Sequence, residues 1–460
     1  MTLVDPNPAT HRARDARPPG PAGAFLKGNM PAIWRDPLGF FTDCARTYGD
    51  VALVRLGPRE SVLLSHPRDI EDVLVTHNRN FVKHPAMTMN RYLLGNGLLV
   101  SEGDLWLTNR RLSQPAFQRG RVAGYAGAMT DLVTRMLHDW KHGETRDVHA
   151  DMMQLSVAIV ARLLFNADLG PAVAEVEIAQ REVMEAYVSR YNSVFFLLSE
   201  KLPTPANLRM KRAANRLRTI LERSVLDHQL AANGRDDLLG LFLRAHGDGS
   251  SHMTRRQLED EVMNFFLAGH ETSANGLAWA LHLLADAPDV QARLHAELDE
   301  ALQGRTPTVE DLPRLRFTEQ IVTEALRLYP PLWVIGRQAV EDCDIGGYHV
   351  PAGTLVQMSQ WVVHRDTRWY EDPHEFRPER WAERPPAGLP RCAYFPFGAG
   401  ARMCIGNNFA LLEMALAIAA IGQRFRLHPL PGVRPKPLPA MTLRPSNGIH
   451  LAIEARQTIR

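Results

Sequence analysis

The sequence predicts a mainly α-helical protein with a minor β region, and the spacing of its apolar residues carries this prediction. Between residues 103 and 302 the apolar residues recur at the spacing of one helix face. Long runs of this kind include residues 124–140, 152–165 and 213–230. Alternation of apolar and polar residues, which is typical of strands, is confined to a segment before residue 66, to residues 343–356 and to residues 441–453. We therefore expect a helical body with little sheet.

Composition and charge narrow the classes of protein to which this chain can belong. Of its 460 residues, 45% are hydrophobic and 23% are charged, which is ordinary globular usage and excludes a disordered or fibrous protein. The net charge of +2 predicts no nucleic-acid partner, because binding to phosphates needs a concentrated basic surface. Since no repeat and no Gly/Ser linker interrupts the chain, we expect a single domain over residues 1–460.

The cysteines and the N-terminal residues indicate the compartment. The cysteines form neither a CxxC pair nor a dense disulfide framework, so a reducing compartment is expected. They are Cys44, Cys343, Cys392 and Cys404. No apolar run near the N-terminus is long enough for a signal peptide or a membrane anchor. The sequence thus predicts a cytoplasmic protein without a membrane anchor, in which residues 1–20 form a flexible polar arm.

The first regular elements are short. Residues 37–48 have the apolar spacing of a helix, and residues 51–55 and 61–65 alternate as two strands. Gly57 and Pro58 lie between the two strands, where a turn is needed. We expect a hairpin at this point.

The most distinctive helix begins at a capping box. Thr254 and Gln257 have the spacing at which a hydroxyl caps the first turn and an amide reaches back, so we expect a helix from there to about residue 287, with Pro288 after it. In its middle stands Ala268-Gly269-His270-Glu271-Thr272. A glycine within a helix costs about 1 kcal/mol against alanine, and a threonine bonded to the preceding turn bends a helix. The pattern indicates that another group approaches the backbone there.

The strongest local signal is a glycine-rich loop around a cysteine, which runs from Phe397 to Gly406 and precedes a helical pattern over residues 408–425. Glycines let the main chain lie close to a planar ligand, and amides near a thiolate can hydrogen-bond it. Arg402, two positions before Cys404, can bind a carboxylate of the same ligand. A lone cysteine is more often a buried structural residue, so the interpretation depends on the whole loop.

This loop resembles the haem-binding loop of the cytochrome P450 family, F-x-x-G-x-R-x-C-x-G. The fixed positions are Phe397, Gly400, Arg402, Cys404 and Gly406. The resemblance implies a haem b cofactor with Cys404 as the axial thiolate ligand of the iron, and with Phe397, Gly398, Arg402 and Gly406 around the haem. It also implies the family's fold, in which a long central helix lies over the haem and the cysteine loop lies beneath it.

Other motifs match the family in the same order along the chain. Trp106 and Arg110 have W-x-x-x-R spacing, which places both on one helix face, where the resemblance implies hydrogen bonds to a haem propionate. Arg337 stands where the family commonly has another propionate ligand. Without the resemblance, Trp106 would more often be a core residue and the arginines surface residues.

The middle of the long helix is similar to the family's [A/G]-G-x-[D/E]-T segment. The resemblance implies that Ala268 and Gly269 leave room for dioxygen beside the haem, and that Glu271 and Thr272 are the catalytic acid and alcohol that deliver protons. His270 occupies the variable position and receives no catalytic role. Ser273 departs from the second threonine of many relatives, which touches little in this mechanism.

Glu324 and Arg327 have the spacing of one helical turn, which is common in exposed ion pairs. The resemblance instead implies a buried structural set of charges that Glu324 and Arg327 share with Arg380. Trp381 stands where the family usually has phenylalanine, a conservative departure. We expect loss of any of the three charges to prevent haem incorporation.

Together the motifs predict a monooxygenase that inserts one atom of dioxygen into a medium-sized hydrophobic molecule by hydroxylation or epoxidation. Electrons are expected from a separate ferredoxin or flavodoxin with its reductase, and the protein is expected to be a monomer. A basic patch for that donor is expected at Arg110, Arg111, Arg119, Arg121 and Arg402. Two alternatives remain: other haem-thiolate chemistry such as peroxygenation, dehydration or isomerisation, and a non-catalytic haem sensor.

The resemblance also implies where the substrate binds. The expected recognition segments are residues 85–99, 183–207, 265–268, 332–335 and 446–448. They carry apolar side chains and few charges, which suits a fatty acid, a terpenoid, a steroid or a polyketide. Arg190 could bind a carboxylate only if its side chain points inward.

Overall fold

The computed structural model describes residues 17–88, 91–167, 172–191, 202, 204–223, 237–247 and 253–456. It has two compact units. The first unit contains Met1–Pro85, Val334–Pro373 and Ala387–Met403, and the second contains Ala86–Trp333, His374–Pro386 and Cys404–Arg460. Of the predicted N-terminal arm, residues 1–16 lie outside the described residues. The single domain over residues 1–460 stays a prediction.

Helices make up most of the described chain, which confirms the predicted fold class. They are α1 (Met30–Arg35), α2 (Pro37–Tyr48), α3 (Pro67–Glu71), α4 (Pro85–Thr88), α5 (Arg91–Leu94), α6 (Gly103–Ser113), α7 (Arg119–Ala123), α8 (Ala126–Leu137), α9 (Val148–Leu164), α10 (Ala172–Tyr191), α11 (Pro205–Leu221), α12 (Leu238–Gly247), α13 (Arg255–Asp286), α14 (Pro288–Leu302), α15 (Arg316–Leu328), α16 (Gln360–Val363), α17 (Arg380–Glu383) and α18 (Asn407–Arg424).

The strands are short and form small sheets. They are β1 (Val51–Leu56), β2 (Arg59–Leu64), β3 (Phe81–Lys83), β4 (Thr145–Asp147), β5 (Ile335–Ala339), β6 (Cys343–Ile345), β7 (Tyr348–Val350), β8 (Leu355–Met358), β9 (Phe425–Pro429), β10 (Pro437–Pro439), β11 (Leu443–Pro445) and β12 (His450–Ala455).

The first unit is built on a five-stranded sheet in the order β1-β2-β8-β5-β3. The predicted hairpin is present: β1 and β2 pair antiparallel, and Gly57 adopts a φ of 63° in the turn between them, where glycine meets no Cβ clash. Strand β8 pairs parallel with β2 and antiparallel with β5. Apolar side chains of these strands, among them Val62, Leu64, Val356 and Met358, form the core of this unit.

The second unit is organised around α13. The capping box at Thr254 and Gln257 starts this helix, as predicted, and Pro288 begins the next one. Helix α13 packs against α9, α15 and α18. Buried apolar residues line α13, and Trp279, which is fully buried, stacks on Tyr329 with ring centroids 4.1 Å apart. The long central helix is therefore fixed on several sides.

The prediction that strands are confined to three regions is wrong for five strands. Strands β3, β4, β5, β9 and β10 were not expected. Strands β4 and β9 both pair antiparallel with β12. Strand β4 consists of Thr145, Arg146 and Asp147, which show no apolar alternation, so its extended form depends on the partner strand and not on local propensity. Strand β9 does alternate, with Phe425 and Leu427 buried and Arg426 and His428 exposed, but this short pattern directly follows a helical one and was overlooked.

Where the chain is described, we find no helix that combines the length and apolar character needed to span a membrane.

Candidate active site

The middle of α13 has an accessible face and a buried face. Ala268, Gly269 and Thr272 are half-buried, whereas the next residues around the helix, His270 and Glu271, are buried. The Thr272 hydroxyl donates to the Ala268 carbonyl oxygen at 2.7 Å, one turn earlier. A Cβ on Gly269 would lie 2.9 Å from Val160 Cγ2 on α9, so the close approach predicted at this glycine is made by α9.

The Glu271 carboxylate is held by two elements distant in sequence. Gln180 Nε2, on α10, donates to Oε2 at 3.1 Å, and the Thr442 hydroxyl, just before β11, donates to Oε1 at 2.6 Å. Asn275 Nδ2 in turn donates to the Thr442 oxygen at 3.2 Å. Sequence reasoning missed Gln180 and Thr442, because neither belongs to a local motif and each reaches Glu271 only through the fold.

Cys404 lies immediately before α18, in the second unit. The residue keeps an exposed surface. Desolvation by the surrounding protein raises the pKa of its thiol, while a hydrogen bond from the Gly406 amide and the charge of Arg110 act in the opposite direction. Both of these groups favour the thiolate, which is the form that binds a metal. The arrangement thus provides one accessible sulfur ligand with a donor beside it.

Trp106 and Arg110 lie one turn apart on α6, and both are half-buried. Burial lowers the pKa of Arg110, and the charge of Cys404 raises it. Arg110 is therefore close enough to the cysteine to interact with it electrostatically. Arg111 and Arg119 are exposed, and Arg121 is half-buried.

The other residues predicted to contact the haem belong to the first unit. Phe397, Gly398 and Arg402 are half-buried in the loop before Cys404, which contains a single 3-10 turn over Gly400–Arg402. Gly400 has a φ of 70°, and a Cβ there would lie 1.9 Å from the Leu74 carbonyl oxygen, so only glycine fits. Arg337 lies in β5, half-buried, and its Nη1 donates to the Gly336 carbonyl oxygen at 2.9 Å.

Comparison with known proteins decides the family. The model of the cytochrome P450 family matches residues 18–453. The chain belongs to the cytochrome P450 family. Cyclooctat-9-en-7-ol 5-monooxygenase of Streptomyces melanosporofaciens is 38% identical over 431 residues, covering 92% of this chain and 93% of the relative. Pentalenene oxygenase of Streptomyces avermitilis is 33% identical over 442 residues, covering 95% and 97%.

The family membership confirms the predicted cofactor and reaction class. As a cytochrome P450, the protein binds haem b and is a monooxygenase that uses dioxygen, a hydrophobic substrate and redox partners. The residues present fit this cofactor, because Cys404 offers an accessible thiol and the Gly406 amide and Arg110 favour its ionised form. The bound haem supplies the activation of dioxygen.

The P450 also contains the predicted set of charges, gathered on a single buried carboxylate. Arg327 is fully buried one turn after Glu324 on α15 and donates to it through Nε at 2.9 Å and Nη2 at 2.7 Å. Arg380 Nε donates at 2.9 Å, and the Arg377 amide donates at 3.1 Å. A further donor, the Trp381 indole N–H at 2.9 Å, was missed when Trp381 was treated as a conservative departure. The carboxylate thus ties α15 to the residues around α17.

We expect Trp381→Phe to lower the free energy of unfolding by about 1.5–3 kcal/mol, because it removes a donor to a buried charge. Urea unfolding followed by circular dichroism measures the loss. Trp34→Phe is the matched control, since the indole N–H of Trp34 is buried without a hydrogen-bond partner among the described residues. An equal loss in the two variants would show that Trp381 contributes ring volume only.

Glu413 on α18 is a second buried carboxyl in this unit. Its Oε1 accepts a hydrogen bond from Ser156 Oγ at 2.6 Å. Burial raises its pKa from 4.5 to about 7, and the hydroxyls of Ser156 and Ser273 lower it. Ser273, which the sequence analysis gave no part in the mechanism, interacts with this carboxyl between α13 and α18.

The Glu413 carboxyl predicts that stability falls as pH rises. Because the folded-state pKa lies above the ordinary one, its contribution is complete below about pH 4.5 and is lost as pH rises through about 7. At 1.36 kcal/mol per pKa unit, the rise corresponds to about 3 kcal/mol. Glu413→Gln should remove this slope between pH 5 and pH 8 in urea unfolding. The exposed Glu383→Gln should keep it, and an unchanged slope in Glu413→Gln would refute the assignment.

Proposed function

We propose that this P450 oxidises a cyclic terpenoid, with Cys404 as the axial iron ligand and with Glu271 and Thr272 as the acid and alcohol that deliver protons. The catalytic roles are proposed because the middle of α13 has an accessible face and a buried face. Thr272 is half-buried on the accessible face, and Glu271, its neighbour in sequence, is buried and held by Gln180 and Thr442. In this mechanism Thr272 Oγ1 donates a proton toward dioxygen, and Glu271 replaces that proton through water.

The other residues around the cofactor have supporting roles in the proposal. Trp106 and Arg110 donate to a haem propionate, Ala268 and Gly269 leave room for dioxygen, and the Gly406 amide tunes the Cys404 thiolate. This arrangement supports monooxygenation over peroxygenase, dehydratase or isomerase chemistry, which needs no acid and alcohol. For the first unit, the haem contacts of Arg337, Phe397, Gly398 and Arg402 stay predictions.

The names of two relatives support a terpenoid substrate, since cyclooctat-9-en-7-ol and pentalenene denote an alkene alcohol and an alkene. Within the expected recognition segments, Met87 and Leu332 present exposed apolar surface. Residues 89–90, 192–201 and 203 of those segments, and the Arg190 side chain, lie outside the described residues. Fatty acids, steroids and polyketides are the competing outcomes of a screen in which each compound is tested for a spin-state shift of the haem.

Thr272→Ala and Glu271→Gln test the catalytic proposal. Each variant should bind haem normally but convert a smaller share of the supplied electrons into product, by about 10²-fold for Glu271→Gln, because general acid catalysis contributes at least that much. Product is quantified against NAD(P)H consumed. Full coupling in both variants would refute the proton-delivery roles. Spectral shifts with substrates but no product with any donor would indicate a haem sensor instead.

The identity of the electron donor and the oligomeric state of the protein are also proposals. We propose that an acidic ferredoxin or flavodoxin, supplied by its reductase, docks near the exposed Arg111 and Arg119. Turnover that is insensitive to ionic strength would refute this docking. A monomeric state, a cytoplasmic location and a single domain complete the proposal, and gel filtration tests the first of these.

A further inference from the structure

Three side chains form a hydrogen-bonded chain on the buried face of α13. His270 Nδ1 faces the Phe266 carbonyl oxygen at 2.9 Å, and His270 Nε2 contacts Gln180 Oε1. The other end of the same amide, Gln180 Nε2, contacts Glu271 Oε2 at 3.1 Å. His270, Gln180 and Glu271 are all at least 96% buried. Gln180 therefore bridges the variable residue of the motif and its catalytic acid.

A count of donors predicts one proton more in this group than a neutral His270 and an ionised Glu271 supply. Three contacts need one donor each: Nδ1 to the Phe266 carbonyl, the imidazole to the amide, and the amide to the carboxyl. A neutral imidazole supplies one N–H and the Gln180 amide supplies N–H groups at one end only. With a neutral His270 and an ionised Glu271, the Gln180 oxygen would face either an unprotonated nitrogen of His270 or an oxygen of Glu271. Two acceptors would then face each other in the protein interior, which is costly. One more proton, on His270 or on Glu271, completes the set.

The position of that proton depends on the orientation of the amide. With the Gln180 oxygen toward His270, both imidazole nitrogens donate, and His270 is an imidazolium beside an ionised Glu271. With the amide reversed, Gln180 donates to a neutral His270 and accepts from a protonated Glu271. The two states contain the same number of protons, and they differ in the orientation of one amide and in whether the additional proton is on His270 or on Glu271.

The surroundings favour exchange between the two states. Burial lowers the pKa of His270, while its bond to the Phe266 carbonyl and the charge of Glu271 raise it. On the far side of Glu271, Thr442 donates to Oε1 in either state and links through Asn275 to His149 Nε2 on α9, at 3.0 Å. His149 is the further titratable group that interacts with Glu271, and burial lowers its pKa.

We propose that His270 and Gln180 share one proton with Glu271 and thereby keep a proton ready for the catalytic acid. This proposal rests on the proposed role of Glu271 in proton delivery and adds two positioning residues to it. His270 acts as the store and Gln180 as the connection. After Glu271 gives up its proton, the state with a neutral His270 and an ionised Glu271 is left one donor short, which drives uptake of the next proton.

The first test locates the proton directly in the holoenzyme. Imidazole ¹⁵N resonances of the reduced, carbon-monoxide-bound protein report the protonation of His270, identified by their loss in His270→Asn. Infrared spectra report a protonated carboxyl, identified by its loss in Glu271→Gln and its persistence in Glu413→Gln. We expect wild type to show an imidazolium signal, the carboxyl band or a mixture. Neither signal in wild type at neutral pH would overturn the proposal.

The second test removes the hydrogen bonds that Gln180 makes to His270 and Glu271. Gln180→Met keeps the side-chain length but removes both hydrogen bonds, so His270 should become neutral, the carboxyl band should vanish, and coupling to product should fall about tenfold. Glu271→Gln should also leave His270 neutral, because the new amide can donate to Gln180. The control, Glu182→Gln, alters a half-buried α10 carboxylate that pairs with Arg216 and should change none of these readouts.

The outcomes separate this inference from the proposed function. If Glu271→Gln stays fully coupled while His270 loses its proton, the proton is shared but the relay role of Glu271 is wrong. If Glu271→Gln uncouples the reaction while Gln180→Met leaves coupling and both spectra unchanged, Glu271 acts alone and the sharing proposed here is wrong.

Discussion

Replacement of Cys404 by alanine should abolish the thiolate signature of the P450 and its monooxygenase activity. The thiolate is the sulfur ligand expected of a cytochrome P450, and alanine offers no atom that can bind iron. The reduced, carbon-monoxide-bound absorption spectrum measures the result directly. Wild type should show the red-shifted Soret band of a thiolate-ligated haem, and Cys404→Ala should lack it. Product formation should fall below detection in the same preparation.

Cys343→Ala is the matched control, because it removes a half-buried cysteine whose thiol pKa is raised by burial and by two neighbouring carboxylates. This variant should keep both the band and the activity. A histidine-type Soret band in wild type, or an unchanged spectrum in Cys404→Ala, would show that another residue binds the iron. The catalytic roles proposed for Glu271 and Thr272 would then fall as well, since both depend on a thiolate-ligated haem.

Features encoded within a few consecutive residues were predicted well. The capping box at Thr254 and Gln257, the long helix after it and the hairpin around Gly57 are all present. Each depends on neighbours in sequence, such as a hydroxyl three residues before an amide or a glycine between two alternating segments. The family resemblance of the cysteine loop has the same origin, since its signature occupies ten consecutive residues.

The partners of the site residues were out of reach of such patterns. Gln180 and Thr442 reach Glu271 from α10 and from the segment before β11, and no spacing rule connects them to it. Trp381 was judged by its shape, although its indole N–H donates to Glu324. Strand β4 was missed for the same reason, because its extended form depends on β12. Local patterns thus predict which residues carry chemistry, and tertiary contacts set their protonation and their stability.

Glu324→Gln should be the most destabilising of the conservative substitutions considered. The variant keeps the shape of the side chain but leaves Arg327, which is fully buried, without its counter-charge, and it turns an amide N–H toward guanidinium donors. Removal of one partner from a buried ion pair costs about 3–5 kcal/mol. Arg380 and the Arg377 amide lose the same acceptor. We expect a much lower yield of haem-containing protein and a loss of that size in urea unfolding.

Glu319→Gln on the exposed side of the same helix is the matched control and should cost little. A second variant tests the cause. If the loss comes from an uncompensated charge, Arg327→Met in the Glu324→Gln background should recover part of it, because the buried cation is then gone. The bond from Arg327 Nη2 to the Glu375 carbonyl oxygen, at 3.0 Å, is lost in that double variant, so recovery should be incomplete. Additive losses would mean that the pair stabilises the fold through packing and not through charge.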